Sequence, residues 1–210
     1  MGRIQLFDDW AERYDSSVQS APEFPLDGYE HVLEEAVRLA QAWPNMAVLD
    51  LGTGTGNLAK SFSALGCTVW GIDFSPKMLA EARAKVPQAT FVQADLMGDW
   101  PAELDRRVDR IVSACVLHEF DLATKVSFLC RLAQHHLAHG GRIAIGDVAF
   151  PTVIARKEAH KRWAHLWDED EHYWAADEAL AACERAGLRA RYTQVSSCGG
   201  VFVIEHEKRH

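Results

Sequence analysis

The chain has 210 residues, 48% of them hydrophobic and 25% charged, and its 30 acidic against 22 basic side chains give a formal charge of −8. That composition suits one globular domain with a sizeable core, and the acidic excess excludes a general electrostatic affinity for nucleic acid or an anionic membrane. Cys67, Cys115, Cys130, Cys183 and Cys198 are odd in number, widely spaced and form no C-x-x-C pair. They read as reduced thiols of a cytoplasmic protein, and neither an apolar run of about 20 residues nor the apolar core of a secretory signal is present.

In chain order, Phe7, Trp10, Ala11 and Tyr14 stand at the i, i+3, i+4, i+7 spacing of an amphipathic helix that ends near Asp15-Ser16-Ser17. After a loop with Pro22 and Pro25, Asp27 is the expected N-cap of a helix. Its stripe is Val32, Leu33, Ala36, Val37 and Ala40, and it stops before Pro44. From residue 46 the pattern alternates. Met46 to Leu51 is a strand, Asn57 to Leu65 a helix capped by Gly66, Cys67 to Ile72 a strand and Ser75 to Lys85 a helix. Thr90 to Ala94 and Asp109 to Val116 are strands, Leu122 to Leu137 is a helix with Asp121 as N-cap, and Arg142 to Val148 is a fifth strand. Such alternation implies a parallel sheet with helices on both faces and a ligand at the carboxyl ends of the strands. Residues 152 to 187 read as helix broken near Asp168, and Leu188 to Val195 with Val201 to His206 as an antiparallel hairpin. The expected organisation is a single domain over 1–210, with an N-terminal extension to residue 45, a cofactor core over 46–148 and a helical and hairpin remainder over 149–210.

The stretch Val48-Leu49-Asp50-Leu51-Gly52-Thr53-Gly54-Thr55-Gly56 ends a strand in alternating glycines and opens a helix. Backbone N–H groups there can approach a nucleotide closely. Gly54 to Ala59 also fits the G-x-G-x-x-A form of a dinucleotide fingerprint, so an NAD-binding oxidoreductase is the rival. Asp50 weighs against it: a carboxylate before the turn meets a pyrophosphate with like charge but suits an ammonium or sulfonium. Asp73, at the end of the second strand, can accept from ribose hydroxyls in either case, and Ser75-Pro76 reads as the N-cap and first residue of the next helix. His118, after the fourth strand, is either a general base or a packing histidine. Between His160 and Trp174 the chain concentrates Trp163, Trp167, Tyr173 and Trp174 with His165, Asp168, Asp170, Glu171 and His172. These supply an acceptor-pocket wall or pack a helix on the sheet. Asp168 and His172 stand at i, i+4 without an H-E-x-x-H or equivalent, so no metal is expected.

The run hydrophobic-hydrophobic-Asp-hydrophobic-Gly-x-Gly-x-Gly, with Ile72-Asp73-Phe74-Ser75-Pro76-Lys77-Met78-Leu79 and Ala94-Asp95-Leu96 behind it, resembles the class I S-adenosylmethionine-dependent methyltransferases. The Phe7 to Asp15 segment resembles the lid of their small-molecule members, and with the Trp167 to Trp174 stretch it is similar to the YrrT-like group. The resemblance implies a Rossmann-like α/β fold: a doubly wound seven-stranded sheet, mostly parallel, with an antiparallel C-terminal hairpin and an N-terminal helical lid. It implies S-adenosyl-L-methionine as cofactor, held by Asp50, Gly52, Gly54, Gly56, Asp73, Phe74, Met78, Asp95, Leu96, Ala114 and Tyr14. Asp73 binds ribose, Phe74 lies against the adenine, Asp95 accepts its amino group and the Leu96 N–H serves a ring nitrogen. The acceptor is a small molecule met by Trp10, His118, Trp167, His172 and Tyr173, with His118 as catalytic residue. Methyl transfer is then an in-line displacement at the sulfonium in a monomer or homodimer, with S-adenosylhomocysteine as product. A protein that binds or modifies the cofactor without methyl transfer is the third possibility.

Overall fold

The computed structural model describes residues 8, 11, 14–19 and 23–205. Of the predicted lid, Phe7 and Trp10 lie outside them, and so does His206 of the hairpin; α1 spans Tyr14–Gln19 and α2 Tyr29–Ala40. The core alternates as the pattern requires: β1 Ala47–Leu51, α3 Asn57–Ala64, β2 Thr68–Asp73, α4 Pro76–Lys85, β3 Thr90–Gln93, β4 Val108–Ala114, α5 Leu122–Arg131 and β5 Leu137–Phe150. After these come α6 Val153–Arg162, β6 Trp174–Ala175, α7 Ala176–Arg185, β7 Arg189–Gln194 and β8 Gly199–Glu205.

Along the sheet the strand order is β3-β2-β1-β4-β5-β8-β7, with the two-residue β6 paired to the end of β5. β1 to β5 run parallel, and β8 is antiparallel to both β5 and β7. The order reverses between β1 and β4, so the loops after those two strands part and leave a crevice at their carboxyl ends. Apolar residues alternate across β1: Val48 packs with α2, α3 and α4 residues such as Ala40, Phe62 and Leu79, and Leu49 packs on the other face with Phe128 and Leu129 of α5. A strand covered on both faces needs this near-continuous apolar run. No helix among the described residues is long and apolar enough to cross a membrane, and all five cysteines are free thiols.

Three local expectations are corrected. Asp27 is not the N-cap of α2; Gly28 takes that place at φ 72°, and the Asp27 carboxylate accepts instead from the Ser197 N–H at 3.1 Å and hydroxyl at 2.6 Å. The added pull of the hairpin turn outweighs the local cap. The helix expected to reach Leu137 ends at Arg131, followed by a wide π-type turn over Leu132–His136, and β5 starts at Leu137 because Leu137 pairs with Val108. Helix also gives way after Arg162, because Trp163 and Trp167 leave the helical path to stack on Phe24 at centroid distances of 5.2 and 5.1 Å. Ser75 and Asp121 do cap their helices, accepting from the Met78 and Thr124 N–H groups.

Candidate active site

The three glycines of the turn after β1 do different work. A Cβ on Gly54 (φ 53°) would meet nothing within 4 Å, so its backbone faces open space. A Cβ on Gly52 would come within 2.5 Å of Val116, where the ends of β1 and β4 close up, and one on Gly56 within 3.1 Å of Ala82, where α3 rests on α4. Asp73 holds the turn from the neighbouring strand: Oδ2 accepts from the Gly54 N–H and Oδ1 from the Ser75 N–H, each at 2.9 Å. Burial raises its carboxyl above the ordinary value despite these donors. Beneath the turn, Asp50 accepts from the Thr53 hydroxyl at 2.6 Å. Its burial, with the nearby Asp73 charge adding to it, pushes the carboxyl up to about 7.

Over this turn lies a cavity of about 380 Å³ at the carboxyl ends of β1, β2, β3 and β4. Of the expected cofactor residues, Tyr14, Gly52, Gly54, Asp73, Phe74, Met78, Asp95, Leu96 and Ala114 line it. Asp50 lines instead a narrow cleft of about 20 Å³ beneath it, with Tyr14, Tyr29 and Gly54, and Gly56 packs helices. Met97, Cys115, Val116, Glu119 and Phe120 complete the wall. The family resemblance implies the backbone of Ala114 or Cys115 near the methionine portion of the cofactor and the residues after it facing the acceptor, whereas Met97 had no signal beyond its place after β3. Cys115 has a left-handed φ of 55° that turns the chain out of β4.

Asp8 and Asp15 are tied to residues beside the cavity. Asp15 accepts from Thr55 Oγ1 at 2.7 Å, Asn57 Nδ2 at 3.0 Å and Lys85 Nζ at 2.6 Å, and Asp8 accepts from the Ser75 hydroxyl at 2.6 Å. Both carboxylates thereby sit near the N-terminal turns of α3 and α4, where the helix dipole favours negative charge. Burial works against the Asp15 charge, but the Lys85, Thr55 and Asn57 bonds prevail and its carboxyl falls below the ordinary value.

At the other end stands His118, 9% exposed. Its Nδ1 lies 2.6 Å from Asp147 Oδ1, its Nε2 lies 3.6 Å from Glu171 Oε1, and one ligand atom from each of His118, Glu119 and Glu171 falls within 4.8 Å of the others. Burial opposes the imidazolium, yet the charges of Asp147 and Glu171 outweigh it and His118 titrates above its usual value. The His172 N–H donates to the His118 carbonyl at 2.6 Å, and Lys125 Nζ donates to the His172 carbonyl. Trp167, His172 and Tyr173 line a second cavity of about 340 Å³ with Lys125, Arg156, Glu171 and Glu178, rather than the cavity over the glycine turn. Asp168 accepts from the Asp170 N–H at 2.9 Å and does not belong with the His118 group.

The donor set of the larger cavity fits S-adenosylmethionine. Its charged lining groups among the described residues are Asp73, Asp95 and Glu119, all acidic, with apolar and aromatic faces between them. They suit a ligand with hydroxyls, an exocyclic amine and cationic ends, and they repel a pyrophosphate.

Known proteins agree with this. Residues 48–141 match the methyltransferase domain family. An uncharacterized methyltransferase of Geobacillus kaustophilus is 31% identical, covering 100% of this chain and 99% of its own, and the uncharacterized methyltransferase YrrT of Bacillus subtilis is 31% identical over 100% of each. Among solved structures, a DhpI–SAH complex superposes with a TM-score of 0.74 at 20% identity, covering 99% of this chain and 96% of that one.

Proposed function

The chain belongs to the methyltransferase domain family and is an S-adenosylmethionine-dependent methyltransferase, and from that premise we propose that it methylates a small molecule enclosed between the 114–120 turn and α1. When bound, S-adenosylmethionine supplies an electrophilic methyl group on a sulfonium. Asp73 serves the ribose hydroxyls, Phe74 and Met78 flank the adenine, and Asp95 with the Leu96 N–H reads its edge. Gly54 lets the main chain approach the methionine end, beside Ala114, and Asp50 supplies negative charge below it. Aligning donor and acceptor and excluding water account for most of the rate. The acidic net charge supports a small acceptor rather than a nucleic acid, and five free thiols suit a reducing cytoplasm.

The observation that carries this proposal is the row of carboxylates at successive strand ends around one cavity with no Lys or Arg among its described lining residues. Calorimetry with S-adenosylmethionine, S-adenosylhomocysteine and NAD tests it. Both sulfur compounds are expected to bind and NAD is not; NAD binding alone restores the oxidoreductase. Asp73→Ala is expected to weaken cofactor binding at least tenfold, more than it costs fold stability, and equal affinity removes the ribose role.

A further inference from the structure

The Asp147 carboxylate is 1% exposed, and both oxygens are committed. Oδ1 accepts from His118 Nδ1 at 2.6 Å and from the Val148 N–H at 2.8 Å, while Oδ2 accepts from the His118 N–H and from Trp174 Nε1, each at 2.9 Å. Donors on every side hold the carboxylate in place, and it in turn holds the imidazole. With Nδ1 donating, the neutral ring carries its lone pair on Nε2. Glu171 Oε1 lies 3.6 Å from that nitrogen, beyond a good hydrogen bond, and the Glu119 carboxylate stands in the same group. Glu119, with Val116 and Phe120, lines the cavity over the glycine turn and Glu171 lines the second cavity, so His118, which itself lines neither, stands between the two beside these carboxylates. The four donors to Asp147 offset the several kcal/mol that burying an ionised carboxylate costs.

Every element around the ring contributes a charged or titratable group: Asp147 from β5, Glu119 from the turn of His118 itself, Glu171, His172 and Tyr173 from the segment before β6, and Lys125 from α5. Resting on the methyltransferase reading, we infer that the acceptor is a neutral or cationic protic nucleophile, bearing O–H, N–H or S–H, whose proton His118 takes at Nε2 while Asp147 acts as the positioning residue. An anionic acceptor such as a carboxylate has no proton to lose and brings negative charge to an acidic cavity. In the step, the acceptor's proton passes to Nε2, its electron pair forms the bond to the methyl carbon, and the sulfur–methyl bond breaks with its pair returning to sulfur. The products are methylated acceptor, S-adenosylhomocysteine and an imidazolium, so the sulfonium's positive charge is conserved. The imidazolium then lies between Asp147 and Glu171.

Release of S-adenosylhomocysteine by the wild type, His118→Gln and Asp147→Asn is measured with two probe sets, phenol, catechol, 2-mercaptoethanol and benzylamine in one, benzoate and phenylacetate in the other. Turnover is expected with the first set alone, rising with pH as His118 loses its proton. His118→Gln should lose about a hundredfold or more, the usual contribution of a general base. Asp147→Asn should be slower and its rising limb should move to lower pH, because the charge that raises the His118 pKa is gone. Turnover of the anions, or an unchanged rate and pH profile in His118→Gln, overturns the inference. A second measurement needs no acceptor: ¹⁵N NMR of the histidine ring with S-adenosylhomocysteine bound. An Nδ1–H tautomer that titrates lower in Asp147→Asn supports the assignment; an Nε2–H tautomer, or an unmoved titration, overturns it even where no probe reacts. Failure of S-adenosylhomocysteine to bind by calorimetry is a separate result, and it strikes the methyltransferase proposal instead.

Discussion

Asp50→Asn removes a charge that the fold holds at a cost. The side chain is 1% exposed, and burial raises its carboxyl from 3.8 to about 7. Between those values the folded protein keeps a proton that the unfolded chain has released, so stability is greatest below about pH 4 and falls as pH rises toward 7. Above that, the full penalty is present: about three units at about 1.36 kcal/mol each, or about 4 kcal/mol as an upper figure. Asn keeps the size and an acceptor for the Thr53 hydroxyl, but not the charge. The variant should therefore unfold up to about 8–16 °C higher than wild type at pH 8, at about 2–4 °C per kcal/mol for a chain of this size. At pH 4 the gain should vanish. Thermal unfolding of both proteins at pH 4, 6 and 8 gives the result, with S-adenosylmethionine titrated into each at pH 8, where the variant should bind more weakly. A stability difference independent of pH would refute the assignment of the penalty to this carboxylate.

The glycines separate binding from folding. Gly54→Ala places a methyl in the open space above the turn and should weaken cofactor binding tenfold or more at a stability loss of about 1–2 kcal/mol from the left-handed φ, whereas Gly56→Ala, 3.1 Å from Ala82 at φ 84°, should lose more stability than affinity; urea unfolding and calorimetry on both variants separate the two. Asp15→Ala removes the acceptor shared by Thr55, Asn57 and Lys85 and should weaken cofactor binding several-fold, with a stability change near about 1 kcal/mol because the Lys85 pair is partly exposed. Phe24→Ala, at a ring 3% exposed, should cost about 3–5 kcal/mol in urea unfolding.

Much of the fold was legible because its signals are local. Val48, Leu49 and Leu51 announce a doubly covered strand, Ser75-Pro76 and Asp121 announce helix starts, and Gly66 announces a stop, each through interactions within a few residues. What misled were residues whose partners lie far along the chain. Asp27 is taken by Ser197, Trp163 by Phe24, and Leu137 by Val108. The site divides in the same way. Asp73 and Asp95 follow from strand ends, while Asp147 looked like an ordinary residue inside the fifth strand, and only the pairing of β5 with β4 and the fold of residues 163–175 carry His118 and Trp174 to it. Asp50 was read as facing the ligand, and its alternation along β1 is compatible with the cleft beneath the turn, a distinction of depth that spacing does not encode.

The stack of Phe24 with Trp163 and Trp167, with the edge of Tyr173 against it at 5.2 Å, joins the segment before α2 to the segment between α6 and β6. The last residue of β5, Phe150, adds to the rim of this joint. Exchange of parts between relatives is therefore constrained: a graft of the first 45 residues or of residues 151–175 alone leaves half a stack facing foreign rings, whereas moving both together transfers an intact joint. In such proteins the joint should be inherited as a split cassette, two stretches distant in sequence that change in step while the core between them keeps its methyl donor.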